Sequence, residues 1–139
     1  MSAPGAAPGL TGMADAVISE IAALLSTYAE TGETAAIDLT AMPLTTQDRQ
    51  ALESRLGRGE VEATVDSAGR SEIWETAYAG VWFVRHFGAG ERVATETIEI
   101  AAAPAVLMSH PDDCRAAAAR LSRELNLVEP RDAASSDGG

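Results

Sequence analysis

The sequence of 139 residues contains no lysine and a single cysteine, and each of these shortages excludes a class of protein. One thiol, Cys114, can neither form a disulfide within the chain nor supply a multi-cysteine metal cluster. Ten arginines stand against 21 acidic residues, so the net charge is −11. Nucleic-acid phosphates and anionic lipid headgroups bind basic surfaces, and this charge therefore argues against both partners. A basic protein partner remains compatible with it.

Long apolar runs are also missing. No stretch of about 18 apolar residues is present, so we expect no membrane-spanning helix. The N-terminal residues 1–9 carry no basic residue and no long apolar core, and we expect them not to form a signal peptide. The lone cysteine is typical of a reducing compartment, which predicts a cytoplasmic protein. No phosphate-binding glycine motif opens a helix after a strand, so nucleotide binding has no support.

Aromatic residues are scarce, and five of the six lie between residues 74 and 87. This stretch predicts two strands, Ser71–Tyr78 and Val81–Phe87, joined by a tight turn at residues 79–80, because aromatic and β-branched residues favour a pleated surface. In the second strand, Val81 and Phe83 point to one side of the sheet, and Trp82 and Val84 point to the other, so both sides are apolar. It is therefore predicted to be a central strand that is covered on both faces.

Hydrophobic spacing and turn residues predict the remaining elements. A helix over residues 13–30 and a short strand over 35–39 come first. A second helix over 46–56 begins with Thr45 as its cap and Asp48 in the capping-box position. Two further strands are expected over 60–67 and 92–100. A final helix begins after His110, and its predicted buried stripe contains Cys114, Ala118, Leu121 and Leu125.

These elements group helices and strands separately along the chain, which indicates an α+β fold. We expect an antiparallel meander sheet of four to five strands with two or three helices packed against it. Residues 13–128 are predicted to form a single domain. Residues 1–12 and 129–139 are rich in small and polar residues and are expected to be disordered tails.

Three residues could carry chemistry, and each has a plainer explanation. His110 and Cys114 lie four residues apart on one helical face, yet nucleophilic or metal chemistry needs further partners. His86 would need a nucleophile beside it. A small hydrolase or transferase that uses one of these residues stays open as an alternative, as does a structural subunit that pairs through its sheet edge.

The aromatic strands offer a second type of site. Aromatic side chains mixed with charged groups are enriched both in protein interfaces and in cores, so the pattern leaves both readings open. If one sheet face is accessible, it forms a contact surface for another protein. Its candidate residues are Glu72, Trp74, Glu75, Tyr78, Trp82 and Arg85.

The stretch GRSEIWETAYAGVWFVRH (residues 69–86) resembles the G-x-S-E-I-x-E-T…G-V-W-x-V segment of the HupH/HyaF hydrogenase expression proteins. TGETAAIDL (31–39), MPL (42–44) and LGRGEVEATV (56–65) are similar to the same family, in the same order. The similarity extends from about residue 14 to about residue 126.

The resemblance implies an accessory, non-enzymatic role in the maturation of [NiFe]-hydrogenase. The family's expected partner is the precursor of the iron–sulfur small subunit, bound before its export and assembly, and other maturation proteins are further candidates. No cofactor is implied. Longer family members carry an additional N-terminal portion, so a function that needs two such regions would be absent here or restored in a homodimer.

Overall fold

The computed structural model describes residues 9–66 and 68–128, and the predicted tails therefore lie largely outside the described residues. The chain divides into two compact units, one that ends at Ala105 and one that begins at Val106. Within the described residues, the first unit contains two α-helices and the β-sheet, and the second contains one α-helix.

Helix α1 (Met13–Thr31) forms because its apolar residues recur every three to four positions and so line one side. Val17 and Ile21 are buried at the centre of this stripe. The helix ends at Gly32, which adopts a left-handed conformation (φ 78°) and donates its N–H to the carbonyl of Tyr28. The predicted first helix is confirmed.

Helix α2 (Thr46–Leu56) begins with the predicted capping box. The Asp48 backbone N–H donates to Thr45 Oγ1, and the Thr45 N–H donates to the Asp48 carboxylate. Thr11 donates to the same carboxylate from its backbone N–H (2.9 Å) and from its hydroxyl (2.6 Å). These bonds, led by that of the Thr11 hydroxyl, lower the pKa of Asp48 from 3.8 to about 2. The ionised carboxylate therefore holds residues 9–12 against the start of α2 through the two hydrogen bonds from Thr11.

Five antiparallel strands form one open sheet in the order β1-β5-β4-β3-β2. The strands are β1 (Ala35–Asp38), β2 (Glu62–Asp66), β3 (Arg70–Glu75), β4 (Val81–Phe87) and β5 (Val93–Ile100). Strands β2 to β5 form the predicted meander, and β1 pairs with β5 as the fifth strand. The α+β prediction is confirmed.

The core occupies both faces of the sheet. On one face, α1 and α2 pack against the apolar side chains of β1, β3, β4 and β5. On the other face, Ile73, Trp82 and Val84 form a smaller buried cluster. Strand β4 is the middle strand, and its first four residues are buried on both sides, as predicted from its composition. The Trp82 indole N–H donates to the carbonyl of Ala101 (3.1 Å), which satisfies the polar group that its burial removes from water.

The hairpin between β3 and β4 differs from the prediction. Strand β3 ends at Glu75, and the connection contains five residues (76–80) where two were expected. Thr76 causes the early stop, because its hydroxyl bonds with both the N–H and the carbonyl of Tyr78 and so closes a local turn. Gly80 adopts φ 88°, and a side chain there would approach Leu25 to 3.2 Å. Tyr78 consequently belongs to the turn.

The second unit contains helix α3 (Pro111–Val128), which begins as predicted after His110. The prediction of a buried stripe on this helix is wrong. All four of its residues are exposed, among them Leu121 at 67% and Leu125 at 58%. An amphipathic spacing specifies which side of a helix is apolar, but it does not supply the surface that would cover that side. Among the described residues, no helix is both long and apolar enough to cross a membrane.

Candidate functional site

The sheet face beneath α1 and α2 changes from apolar to charged between two adjacent cross-strand rows. Trp74, Phe83, Ile98 and Ile37 stand opposite one another on four strands and form an apolar row. Two positions further along, the next row contains Glu72, Arg85 and Glu96. Side chains two apart on a strand share a face, so the helices lie over the apolar row while ionic groups continue the same surface.

An ion-pair network is centred on Glu96, whose side chain is only 6% exposed. One carboxylate oxygen pairs with Arg49 of α2, and the other accepts from Arg85 Nε at 2.7 Å. Arg85 also donates from Nη2 to Glu53 of α2 at 2.6 Å. The Glu96 backbone N–H donates to Thr40 Oγ1 (2.8 Å). The network therefore joins α2 to strands β4 and β5 by charge-assisted bonds.

Trp74 lies beside this network and below two arginines. Its ring stacks on Phe83 with centroids 4.9 Å apart. The guanidinium carbon of Arg58 lies 4.1 Å from the Trp74 ring centroid, and that of Arg85 lies 5.0 Å away. The indole is 3% exposed, so it belongs to the core and supports the arginines through cation–π contacts.

An open cleft of about 390 Å³ lies along the network. Its walls include Thr40, Thr46 and Gln50 in addition to the four network residues. The two arginines and two glutamates that line the cleft balance in charge. The lining therefore offers paired hydrogen-bonding groups with no net charge among these four side chains.

A second depression, of about 170 Å³, lies between α1 and the β3–β4 turn and is apolar. Tyr78 forms one wall and is 53% exposed. The opposite walls are formed by Ile18, Ile21, Ala22 and Leu25 of α1, by Leu56 of α2 and by Val81 of β4. We call this depression the Tyr78 groove. An exposed aromatic ring at the edge of an apolar groove is a common anchor in protein interfaces.

The six residues proposed from the sequence as a contact surface do not share one face. Glu72, Trp74 and Arg85 lie on the helix-covered face. Glu75 and Trp82 stand opposite each other on the second face, where Trp82 is 6% exposed. Tyr78 lies in the turn between the strands. The structure thus brings three of the six together and gives both tryptophans a place in the core.

Two of the three alternative catalytic residues make local hydrogen bonds. His86 Nδ1 makes a hydrogen bond with the hydroxyl of Ser71, its cross-strand neighbour. His110 Nδ1 accepts the backbone N–H of Asp112 (3.0 Å) at the start of α3, and Cys114 is an exposed free thiol. Within residues 9–66 and 68–128, no three histidine, cysteine or acidic side chains are grouped closely enough to hold a metal ion.

Sequence reasoning missed Arg49, Glu53 and Glu96 as parts of the site. The burial of Glu96 can be predicted from strand alternation. Glu96 lies two residues before Ile98 and four before Ile100, and alternate residues of a strand share a face, so Glu96 falls on the buried face. Arg49 and Glu53 lie four apart on α2, a spacing that puts them on one helical face. Neither pattern shows that the three side chains meet.

Comparison with known proteins gives consistent matches. The family model described as HupH hydrogenase expression protein, C-terminal conserved region, matches residues 12–128. The hydrogenase expression/formation protein HoxQ of Azotobacter vinelandii is 31% identical over 94 residues, which are 68% of this chain and 33% of that protein. The hydrogenase-1 operon protein HyaF of Escherichia coli is 36% identical over 78 residues, or 55% of this chain and 26% of HyaF.

A solved structure agrees with these matches. The hydrogenase expression protein HupH from Thiobacillus denitrificans is 41% identical and superposes with a TM-score of 0.78, over 83% of this chain and 96% of that one. The chain spans about a third of the length of the curated relatives HoxQ and HupQ. Its matched region covers nearly all the described residues, and the chain belongs to the HupH family of hydrogenase expression proteins, whose C-terminal conserved region it contains.

Proposed function

We propose that this chain is a non-enzymatic accessory protein of [NiFe]-hydrogenase maturation. In this role it binds the precursor of the iron–sulfur small subunit in the cytoplasm, before export and assembly. The observation that carries the proposal is the match of residues 12–128 to the conserved region of hydrogenase expression proteins. Relatives from Azotobacter, Rhizobium and Rhodobacter are themselves named hydrogenase expression/formation proteins.

The Tyr78 groove is the contact that we assign to the partner. It combines an apolar floor with an exposed phenol ring, and such a ring has a large contact area and few torsions to immobilise on binding. The stacked pair of Trp74 and Phe83 belongs to the same core, so the groove rests on a rigid base. Rigid placement lowers the entropy cost of association.

The acidic charge contributes to the rate of encounter. The net charge of −11 attracts a partner segment that carries basic residues. Glu72 and Glu75 are half-buried and lie on opposite faces of β3, so they contribute to the field on both sides of the sheet. The Arg85 side chain is only 17% exposed and is paired with Glu53 and Glu96. Its role is to stabilise strand β4, which lies beside Glu72.

The groove is tested by affinity. The wild-type chain is immobilised and the small-subunit precursor, with its export signal, is passed over it. Tyr78→Ala is expected to weaken the equilibrium affinity by about 10- to 100-fold, which is the usual range for an aromatic anchor. Tyr78→Phe keeps the ring and should bind within a few-fold of wild type. Val61→Ala, at an exposed apolar position before β2, is the matched control and should be neutral.

The charge contribution is tested by kinetics. Glu72→Gln combined with Glu75→Gln should slow association and reduce its dependence on salt, while dissociation changes little. Unchanged association rates at all salt concentrations would refute steering by these two residues. A wild-type chain that binds no precursor at near-millimolar concentration would refute the proposed function itself.

A further inference from the structure

Strand β2 (Glu62–Asp66) forms one edge of the sheet, and among the described residues it pairs with β3 alone. The Glu75 N–H donates to the carbonyl of Val61, which stands opposite Glu75 when the β2–β3 register is continued by one residue. In an antiparallel pair, every second residue directs its backbone groups to the neighbouring strand. Residues 61, 63 and 65 therefore bond to β3, and the outward N–H and C=O groups belong to Glu62, Thr64 and Asp66.

The side chains along this edge differ between the two faces of the sheet. On the face that carries α1 and α2, the edge residues are Glu62, Thr64 and Asp66, and all three are exposed. On the other face they are Ala63 and Val65, which are half-buried and pack against the smaller buried cluster of the sheet. A strand placed beside β2 would therefore meet acidic groups on one face and apolar groups on the other.

We propose that the β2 edge binds an extended segment of a partner protein in which basic and apolar residues alternate. The segment adds to the sheet as a sixth strand, and its backbone bonds to the outward groups of β2. Its basic side chains lie beside Glu62 and Asp66, and its apolar side chains cover Ala63 and Val65. Only the identity of the protein that carries the segment rests on the proposed function.

The existing ion pairs leave the edge accessible to a new cation. Glu62 pairs with Arg58 at 3.2 Å, but the two side chains are 62% and 50% exposed, and such a pair is weak enough to exchange partners. Asp66 makes no ion pair with another described residue, because Arg70, its cross-strand neighbour, pairs with two glutamates instead. A basic segment therefore gains charge contacts without breaking a buried pair.

A second copy of this chain does not fit the same edge. If two β2 strands paired antiparallel about Thr64, Glu62 of each copy would stand opposite Asp66 of the other. Like charges directly opposite each other destabilise a strand pair, and each chain carries a net charge of −11. Charged side chains on edge strands are a common protection against self-pairing. The acidic edge thus selects against itself and in favour of a basic segment.

A synthetic peptide tests the edge without any hydrogenase component. It alternates arginine and valine over five residues, the length of β2, with arginine first and last and with both ends blocked. Bound to the isotope-labelled full chain at nine-tenths occupancy, it should slow hydrogen exchange of the Thr64 amide about 10-fold. The Val65 amide, which is directed to β3, should change little. A control peptide with glutamate in place of arginine should protect neither amide.

Matched substitutions separate strand addition from general attraction to an acidic protein. Thr64→Pro removes an outward N–H and none that is directed to β3, and proline is tolerated at such edge positions. It should weaken binding of the basic peptide about 5- to 10-fold. Glu62→Lys combined with Asp66→Lys changes only exposed side chains and should transfer the preference to the glutamate peptide. Tyr78→Ala should leave peptide binding unchanged, so that a failure at this edge is distinct from a failure at the Tyr78 groove.

Three results would overturn the added strand. The first is equal protection of Thr64 by both peptides, or no protection at millimolar peptide. The second is an unchanged preference in the double lysine variant, which decides the matter alone if Thr64→Pro disturbs the pairing of β2 with β3. The third is protection of the Thr64 amide that rises with protein concentration in the absence of peptide, because a second copy would then occupy the edge.

Discussion

Replacing Glu96 with glutamine tests whether the ion-pair network holds α2 to the sheet. Glutamine keeps the shape of the side chain and removes its charge. The change leaves Arg49 without its carboxylate and leaves Arg85 with Glu53 as its remaining ionic partner. Removing one member of a buried ion pair costs about 3–5 kcal/mol, because the other charge stays desolvated.

Two features of the network reduce that figure. Arg85 keeps one of its two carboxylate partners, and Arg49 is 32% exposed and can regain water. We therefore expect the free energy of unfolding to fall by about 2–3 kcal/mol. With a urea slope of about 2 kcal/mol per molar, the unfolding midpoint should move down by about 1–1.5 M. Both tryptophans are buried, so their fluorescence reports the transition directly.

Glu62→Gln is the matched control, since it makes the same chemical change in an exposed pair. Glu62 and Arg58 are 62% and 50% exposed, and such pairs contribute about 0–1 kcal/mol. Added salt should reduce this small effect and leave the Glu96 effect nearly intact. If the two variants unfold at the same urea concentration, the network does not hold α2 in place.

Two further predictions concern the Asp48 carboxylate and the difference in burial between Leu52 of α2 and Leu125 of α3. The pKa of Asp48 is lowered to about 2, so its ionised carboxylate stabilises the fold above about pH 4, and this contribution is lost as the pH falls towards 2. The difference in urea midpoint between wild type and Asp48→Asn should accordingly be large at pH 6 and shrink at pH 2.5. An equal difference at both pH values would contradict the bonds from Thr11. Leu52→Ala, at a fully buried position of α2, should cost about 2–4 kcal/mol, whereas Leu125→Ala in dilute solution should stay within about 0.5 kcal/mol. A similar loss at both sites, read by urea unfolding, would mean that α3 is covered in the monomer.

Local patterns were sufficient to predict most of the fold. The apolar spacing of α1, the capping residues of α2 and the two-sided apolar composition of β4 each specify an element through neighbours in the chain. The strand that the composition predicts to continue to Tyr78 ends at Glu75, because the Thr76 hydroxyl makes hydrogen bonds with the local backbone. Such side-chain bonds compete with strand pairing, and propensity alone does not show which of the two prevails.

The candidate site was less predictable, because its parts come from distant positions. Arg49 and Glu96 are 47 residues apart in sequence, and Arg85 and Glu53 are 32 apart. Strand alternation shows that Trp74 and Trp82 point to opposite sides, but it does not show how deeply helices and loops cover each side. The role of Tyr78 as a contact residue stays a prediction. Its ring is accessible, and the groove beside it depends on residues of α1 that are distant in sequence.

The proposed function rests on binding of the small-subunit precursor of a [NiFe]-hydrogenase by this chain. Titration calorimetry of the purified chain with that precursor, beside a titration with the large subunit, measures this most directly. We expect saturable heat with the precursor, at one site per chain, and a much weaker signal with the large subunit. Flat titrations with the precursor, or tighter binding to the large subunit, would contradict the proposed function.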